Sequence, residues 1–382
     1  GTISSNRNTI RISKTGSNNT TGMTITNSGT ITANIGSAIF ASDGNSTATI
    51  TNKIGGEITN SDASNATIRA GASSTIVNSG TIKNDVDNDA IKLYGNNATI
   101  TLKDGGIVVG KIDGLLRTGS KLKFNHGVGQ GYFYETEGDF TLEDLDGNQV
   151  VKGSAGSVGQ GGNENIDELL GYKSLNIRKS LNKFLKSEGF KNKKTEWQGF
   201  QATSLERKEN TKNLALGYEF YSLGVNIIRP LENENIIASF EYSEQDFQKD
   251  HDIARYNILF GVHFNESENK FKDNSFILAG ATLNEGERKI LTNTTSSGTL
   301  NITDTYESFE IHTGKMFQNK SLLPNIGTNL SYSFTPSHTE SKYYSWEDKH
   351  VANFSVDLND EYNLEFKKNK SNIGIGWILD YR

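Results

Sequence analysis

The sequence has no cysteine among its 382 residues, and no apolar run approaches the roughly 18 residues that a membrane-spanning helix needs. The first absence excludes disulfides and thiolate metal sites, and the second excludes a transmembrane helix. A membrane is not excluded, because strands that alternate apolar and polar residues cross a bilayer at low average hydropathy. The formal net charge of −6 lacks the basic excess of a nucleic-acid binder, so we expect no nucleic-acid partner.

The length and the first residue both bear on how the chain is organised. A chain of 382 residues exceeds one ordinary core and predicts two or more domains. The sequence opens at Gly1 rather than at an initiator Met, and no charged-then-apolar signal segment follows. We therefore interpret it as a piece of something longer, whose targeting information lies outside it.

Aromatic residues are scarce in the first 105 positions. Only Phe40 and Tyr94 occur there, although the chain has 19 Phe, 14 Tyr and 3 Trp. Thr, Asn, Ser and Gly fill 58 of the same 105 positions. So abrupt a change in composition indicates a boundary between two kinds of structure.

The first part also repeats. Residues 27–31 read Asn-Ser-Gly-Thr-Ile and return at 78–82, and marker glycines at 29, 56, 80 and 106 lie 27, 24 and 26 residues apart. Each unit carries three short segments of small and β-branched residues, which is typical of strands. This period indicates a solenoid, whereas helical repeats need longer apolar runs and propeller blades more aromatics. We predict a right-handed parallel β-helix over residues 1–118, with coils of about 26 residues, inward Ile, Val and Ala, and Asn and Thr ladders.

Larger side chains appear in residues 119–152. The segment 140–151 has the pattern of two strands joined at an Asp146-Gly147 turn, which is a strong hairpin signal. Terminal coils of solenoids need a cap. We therefore predict a capping β region over residues 119–152 that closes the last coil.

A glycine-rich stretch and then a helical pattern follow the capping region. Five glycines in residues 153–163 predict a flexible linker. Helical spacing of apolar residues, with a capping-box pair at Asn165 and Glu168, predicts an α-helix over 164–187. About 22 residues span roughly 33 Å, close to the hydrocarbon thickness of a bilayer. Its polar faces predict that such a helix lies inside another structure, not in lipid.

From residue 195 onward the pattern has period two, with one large apolar face and one small polar face. The alternating segments are about 9–12 residues long, as tilted membrane-crossing strands are, and aromatics lie near their ends. In lipid only a closed barrel satisfies such strands. We predict an antiparallel transmembrane β-barrel over 195–382; a soluble β-sandwich also alternates and stays the alternative.

Ten segments carry this alternation, so we expect nine or ten strands. We expect a long polar loop at Leu283–Thr303 and another at 266–274. The alternating segments are 197–205, 214–228, 235–242, 255–264, 275–288, 305–317, 325–334, 352–358, 362–367 and 372–381.

The order of β-helix, cap, glycine-rich link, helix and amphipathic strands resembles the C-terminal part of a bacterial autotransporter (type V secretion). The stretches that carry the resemblance are the Asn-Ser-Gly-Thr-Ile coils, residues 119–152 in the autochaperone position, the 165–187 helix, and the strand-like segments 197–200, 223–231, 236–246, 256–264 and 323–327.

This resemblance implies an outer-membrane translocator that exports and displays its own β-helical passenger on the cell surface. It implies a monomer with lipid, the barrel-assembly machinery and periplasmic chaperones as partners. It also implies an adhesive passenger with a host or surface glycan as ligand, no enzymatic activity and no cofactor.

The sequence departs from the family's pattern in three ways. The family barrel has twelve strands, whereas nine or ten are expected here, and the family ends in an aromatic residue, whereas this chain ends Asp380-Tyr381-Arg382. We therefore interpret the barrel as incomplete relative to twelve strands. The paired-Asn cleavage segment of one subgroup is not recognisable in the helix, so we expect no self-cleavage.

We assign no catalytic, cofactor-binding or metal residues. Asp85, Asp87 and Asp89 alternate like a calcium loop, but Ala90 and Asn96 replace the glycine and glutamate that the template needs, so a solvated turn is expected. The histidines lack metal-site spacing, and two of them, His263 and His312, are expected to face a barrel lumen. The basic cluster at 186–194 is interpreted as a solvated turn. The six histidines are at 126, 251, 263, 312, 338 and 350.

Two other functional classes compete with the translocator. One is a soluble secreted β-solenoid with a β-sandwich that binds glycans. The other is a lyase or hydrolase, which requires a cleft with at least three carboxylates on one coil face, and the sequence offers no such cluster.

Overall fold

Over the residues that it describes, the computed structural model is an all-β protein with one helix. The residues that it describes are 1–12, 22–41, 46–86, 88–114, 117–127, 129–147, 149–153, 156–160, 166–185, 196–208, 217–247, 250–265, 274–317, 325–341, 344–346, 348–366 and 371–381.

The N-terminal part is a parallel β-solenoid, as predicted. In the described residues, three sheets of five, six and six strands run along it; each of the first five coils contributes one strand to each sheet, and the sixth extends only the second and third. The strands of the three sheets are β1 (Thr2–Ser5), β2 (Ile10–Arg11), β3 (Met23–Asn27), β4 (Thr30–Ala33), β5 (Ile39–Ala41), β6 (Ala48–Asn52), β7 (Glu57–Asn60), β8 (Ile68–Ala70), β9 (Thr75–Asn78), β10 (Thr81–Asn84), β11 (Asp89–Leu93), β12 (Thr99–Lys103), β13 (Ile107–Val109), β14 (Lys111–Asp113), β15 (Ser120–Asn125), β17 (Thr136–Glu137) and β18 (Phe140–Asp144). The short strand β16 (Tyr132–Phe133) lies outside these three sheets.

Isoleucine ladders form the solenoid core. In the first sheet Ile31, Ile58, Ile82 and Val108 lie in register on β4, β7, β10 and β13, and all are buried. The other two sheets carry similar ladders of Ile with Leu or Ala. A β-branched side chain packs well on a pleated surface, and one coil buries its apolar face only on the next.

The region after the predicted β-helix differs from expectation. The solenoid ladders continue to Asp144, because β15 and β18 extend the third sheet in parallel. The predicted hairpin over 140–151 is wrong: β18 pairs with β15, and β19 (Gln149–Gly153) pairs antiparallel with β20 (Gly156–Gln160). The glycine-rich stretch predicted as a flexible linker therefore contains a strand, and β20 also pairs with β16.

Helix α1 (Ile166–Leu185) lies where the helical pattern was predicted. Asn165 of the expected capping box and the basic cluster at 186–194 lie outside the described residues. No helix in the described part of the chain has the length and apolarity needed to cross a membrane.

In the described part of the chain after α1, nine long strands form an antiparallel meander in the order of the chain. A small separate hairpin of β28 (His338–Ser341) and β29 (Tyr344–Trp346) interrupts the sequence. The nine are β21 (Trp197–Arg207), β22 (Tyr218–Pro230), β23 (Glu234–Phe247), β24 (His251–Phe264), β25 (Ser275–Thr292), β26 (Thr299–Phe317), β27 (Asn325–Thr335), β30 (Lys349–Phe366) and β31 (Ser371–Tyr381).

Two expectations about these strands are corrected. The segments 352–358 and 362–367 were predicted as separate strands, but β30 is one strand of 18 residues. The polar loop expected at Leu283–Thr303 is the end of β25 and the start of β26, which pair from Leu291 and Thr299 inward. Both faces of these stretches carry polar residues, because alternation is lost where a strand leaves an apolar environment. The sequence pattern therefore did not indicate a strand there.

Candidate functional site: the helix-filled interior of the sheet

The polarity of the nine-stranded sheet is inverted relative to a soluble protein. On its outer face Phe240, Phe260 and Leu330 are 37%, 57% and 49% exposed. Residues of the opposite parity, such as Ser239 and Asn329, are each 2% exposed. The face with Asn, Ser, Thr, His and charged side chains is therefore the inside, and the apolar aromatic face is the outside.

Helix α1 lies against this polar inner face. It contacts β21 and β22 near one end of the meander and β26, β27 and β30 near the other. A single helix touches strands this far apart in the order only if the sheet curves around it. The helix therefore fills the interior of the curved sheet.

A charged pair fastens the middle of the helix to the wall. Lys173 donates to both carboxylate oxygens of Glu310 on β26, with Nζ–Oε distances of 3.0 and 2.8 Å. The two side chains are only 10% and 6% exposed. Glu310 also accepts from Thr282 Oγ1 at 2.6 Å and Asn257 Nδ2 at 3.3 Å. A buried ion pair needs such further hydrogen bonds to offset the cost of leaving water.

A neighbouring contact joins the same cluster. Ser174 Oγ lies 2.8 Å from His312 Nδ1, and His312 Nε2 lies 3.0 Å from Glu310 Oε2. Serine, histidine and carboxylate in this order resemble a hydrolytic triad. Here, however, the carboxylate of Glu310 also accepts hydrogen bonds from Lys173, Thr282 and Asn257. The side chains of Ser174 and His312 are fully buried between the helix and the sheet. Catalysis needs a reacting carbonyl about 3 Å from the serine, and a serine buried in this way leaves no room for one. The arrangement therefore fits a structural anchor for the helix.

The C-terminal half of the helix is held by weaker polar contacts and an apolar cluster. Asn226 Nδ2 on β22 donates to Ser180 Oγ at 2.8 Å, and Asn176 Nδ2 donates to Thr203 Oγ1 at 3.1 Å. Beside these contacts, apolar side chains of the helix and the sheet pack into one buried cluster. Its members are Ile177, Leu181, Phe184, Ile228, Ile237, Leu259, Phe276, Leu278 and Met316.

The histidines and acids that the sequence singled out lie in different places. His263 and His312 are both buried on the inner face. In the solenoid, Asp85 pairs with Lys83 and Asp89 with Lys92, while Asp87 lies outside the described residues. Within the described ranges, no group of three or more His, Cys, Asp or Glu side chains has metal-site geometry.

Sequence reasoning missed Lys173 and Glu310, the two residues that fasten the helix. A signal was present: Glu310 lies between Phe309 and Ile311, at the same parity as Ser308 and His312. A carboxylate at an inward position needs a partner. Nothing in the sequence identifies that partner as a lysine 137 positions earlier on a helix.

Comparisons with known proteins give a slight structural likeness and no match by sequence. No family model matches the sequence, and no curated protein matches it. Among solved structures, the β domain of the Bordetella autotransporter BrkA aligns at 8% identity and a TM-score of 0.30, over 49% of this chain and 78% of that chain. A likeness of this size does not assign a family.

Proposed function

We propose that this chain is the C-terminal part of an outer-membrane translocator that exports and displays its own N-terminal solenoid at the cell surface. The observation that carries the proposal is the inverted sheet. An outward band of Phe, Tyr, Ile and Leu on neighbouring strands is favourable where hydrocarbon covers it. In water, the same band is unfavourable and promotes aggregation.

The height of the apolar band supports insertion in a bilayer. On β24 the outward residues from Tyr256 to Phe264 are apolar, and this stretch has the length that a tilted strand needs to cross. Toward the solenoid, outward carboxylates replace them in register on successive strands: Glu219, Asp246, Asp252 and Glu287. This acidic row fits an aqueous boundary, with the solenoid beyond it.

The helix supports an export role. It occupies the interior of the curved sheet, and the chain before it leads to the solenoid, which lies beyond one rim of the sheet. In a threaded passenger, each coil that folds outside buries apolar area at roughly 25 cal/mol per Å², less its ordering entropy. Folding outside then opposes backward movement, and no nucleotide or cofactor is needed.

The proposal extends to an adhesive passenger and to its partners. The outer face of the solenoid carries a ladder in which Arg11 and Arg69 stack on Phe40, and Arg69 also on Tyr94, at 5.3 to 5.7 Å from the ring centroids. Aromatic and guanidinium groups of this kind favour contact with a surface glycan. Lipid, the barrel-assembly machinery and periplasmic chaperones are the other proposed partners.

The test is an epitope placed before Gly1, behind an added secretion signal, with protease added to intact Gram-negative cells. We expect cleavage of that epitope without opening of the outer membrane. The control is an epitope in the turn at 231–233, which lies at the rim of the sheet opposite the solenoid. This epitope should stay protected. An N-terminal epitope that is cleaved only after the outer membrane is opened would defeat the proposal. A chain that stays monomeric in buffer without detergent would favour the soluble glycan-binding alternative.

A further inference from the structure

Two arginines and two aromatic rings form one stack on the outer face of the solenoid. Arg11 of β2, Phe40 of β5 and Arg69 of β8 lie opposite one another in register in the second sheet, and Tyr94 directly follows β11. The guanidinium carbons of Arg11 and Arg69 lie 5.3 and 5.7 Å from the centroid of the Phe40 ring. That of Arg69 also lies 5.4 Å from the centroid of Tyr94. We call these four residues the arginine stack.

The stack holds the two guanidinium groups in place and leaves their edges available. A ring face attracts a guanidinium group, whereas the N–H donors of that group point outward from its edge. Arg11 is exposed, and Arg69 is half-buried, with its Nη2 donating to Asn65 Oδ1. An arginine ordered in this way loses less conformational entropy on binding a ligand than a side chain that is free in solvent.

The positive charge of the arginine stack has no carboxylate beside it. In the described part of the chain, no Asp or Glu oxygen lies within 4.0 Å of either guanidinium group. Asp62, whose charge acts on Arg69, accepts hydrogen bonds from the backbone of Gly36 and Ser64. Four lysines of the solenoid do have carboxylate partners, namely Lys83 with Asp85, Lys92 with Asp89 and Asp113, Lys103 with Asp104, and Lys123 with Glu143. The stack therefore presents a charge that is complementary to an anionic partner.

The separation of the two charges selects among anionic partners. Neighbouring coils lie about 4.8 Å apart, so Arg11 and Arg69, which are two coils apart, present their charges roughly 10 Å apart along the solenoid. The phosphates of one nucleic-acid strand follow one another more closely, at about 3.4 Å of rise. In an extended polysaccharide with one carboxylate in each disaccharide, the charges are two sugar rings apart, which is a length similar to two coils. Each guanidinium group then matches one carboxylate in a bidentate contact.

The arginine stack lies on the part of the solenoid that is away from the sheet. A later coil contacts the sheet, because β16 pairs in parallel with β25, with Tyr132 opposite Leu291. The stack is built from the first four coils. A surface of another cell therefore reaches the stack before the polysaccharides of the chain's own membrane do.

We propose that the arginine stack binds a linear acidic glycan on the surface of another cell. Carboxylates of alternate sugar rings bind Arg11 and Arg69, and the edge of the Phe40 ring lies under the sugar ring between them. Phe40 and Tyr94 position the two guanidinium groups. The inference rests on the proposed adhesive passenger, for which it names the class of glycan and the residues that bind it.

The first test measures the binding of a hyaluronan octasaccharide, which carries a carboxylate on every second ring, to the purified full chain in detergent. The dissociation constant from titration calorimetry should rise about tenfold for Arg11→Gln and for Arg69→Gln. Arg7→Gln removes an exposed arginine outside the stack and is the matched control, with a change of less than about twofold. Equal effects of the three substitutions, or no effect of any, would overturn the site.

The second test separates the ordered stack from its charge. Phe40→Leu keeps every charge but removes the ring that both arginines contact, so the dissociation constant should rise about fivefold. Hydrogen exchange in β5 and β8 checks that these coils stay folded. Arg69→Lys also keeps the charge but loses the planar fork, and it should weaken binding by a similar factor. Affinity equal to that of the parent chain in both variants would show that the arginines act as free charges, and would contradict the stack.

The third test concerns the class of ligand. At about 0.15 M salt, neutral maltooctaose and an oligodeoxynucleotide of similar length should both bind more weakly than the hyaluronan octasaccharide. Equal affinity for the neutral sugar would overturn the requirement for acid groups, and equal affinity for the oligodeoxynucleotide would overturn the match of spacing. Equal affinity for polysaccharide extracted from the producing bacterium would contradict a ligand on another cell.

The outcome of these measurements is independent of export, because all three use the purified chain. Loss of the predicted binding would leave the proposed export standing. Binding by a chain whose N-terminal epitope never reaches the cell surface would instead favour the soluble glycan-binding alternative.

Discussion

At the scale of single residues, the turns that pair an asparagine with a glycine explain why the repeat is so regular. Asn27 Nδ2 donates to Asn52 Oδ1, and Asn52 Nδ2 donates to Asn78 Oδ1, both at 2.9 Å. The same amides bind the backbone of their own turns, and a Cβ at Gly56 would lie 2.4 Å from Asn52 Oδ1. A repeated asparagine therefore requires a repeated glycine beside it.

The asparagine ladder leads to a stability prediction. Asn52→Ala should destabilise the solenoid by about 2–4 kcal/mol, because it removes the buried hydrogen bonds of Asn52 with Asn27, with Asn78 and with the carbonyl oxygens of Gly56 and Thr81. Asn34→Ala, at an exposed amide, should cost less than about 0.5 kcal/mol. The measurement is the thermal unfolding of the solenoid strands in the full chain. Equal effects of the two substitutions would contradict a stabilising ladder.

Asp62 carries a prediction about pH. Backbone N–H groups of Gly36 and Ser64 donate to its carboxylate at 2.6 and 2.8 Å, and these bonds lower the pKa of Asp62 below its usual value of 3.8. A lowered carboxyl pKa stabilises the fold above the unfolded pKa, and the gain is lost as pH falls through the folded pKa. Asp62→Asn should therefore flatten the acid side of the stability profile, below about pH 4. Titration of this carboxyl by NMR checks it; a pKa at or above 3.8 would contradict the argument.

At the scale of elements, the sequence predicts those whose residues face one environment along their whole length. Helix α1 and the Ile-rich coils are such elements, and both lie where they were predicted. The ends of β25 and β26 leave the apolar band and join the solenoid, so their alternation is lost and they resembled a loop. The Asp146-Gly147 turn exists, with φ of +82° at Gly147, but it joins strands of different sheets. A local turn signal does not determine which strands pair.

The attachment of α1 gives a prediction at this scale. Glu310→Gln should destabilise the helix-filled sheet by about 3–5 kcal/mol, since Lys173 then stays buried without its counter-charge. Glu307→Gln, on the outer face of the same strand, is the matched control and should change little. Thermal unfolding in detergent measures both.

A double variant separates the charge from the shape of the site. Lys173→Met with Glu310→Gln should recover a large part of the loss, because it removes both charges together. If the double variant is as unstable as the sum of the single ones, the pair is not what holds the helix.

At the scale of the whole molecule, the decisive question is what covers the outer face of the sheet. Phe260 lies near the middle of the apolar band, between Ala238 and Ala279 in register, with its ring 6.1 Å from that of Phe240. In phospholipid vesicles, Phe260→Arg should cost about 2–4 kcal/mol, as a charge does at the midplane. Thr305→Arg, outward but beside the acidic row, should cost about 0–1 kcal/mol because it lies near the boundary.

The same pair of substitutions distinguishes a membrane from water. An exposed side chain of a soluble protein changes stability by only about 0.5 kcal/mol on substitution, so in water both variants would unfold like the parent chain. Equilibrium unfolding from vesicles, followed by tryptophan fluorescence, measures the difference between the two sites. A cost that depends on position along the strand, large at Phe260 and small at Thr305, requires an apolar layer of finite thickness around the sheet. Equal and small costs at both sites would mean that water covers this face, and export through it would have no physical basis.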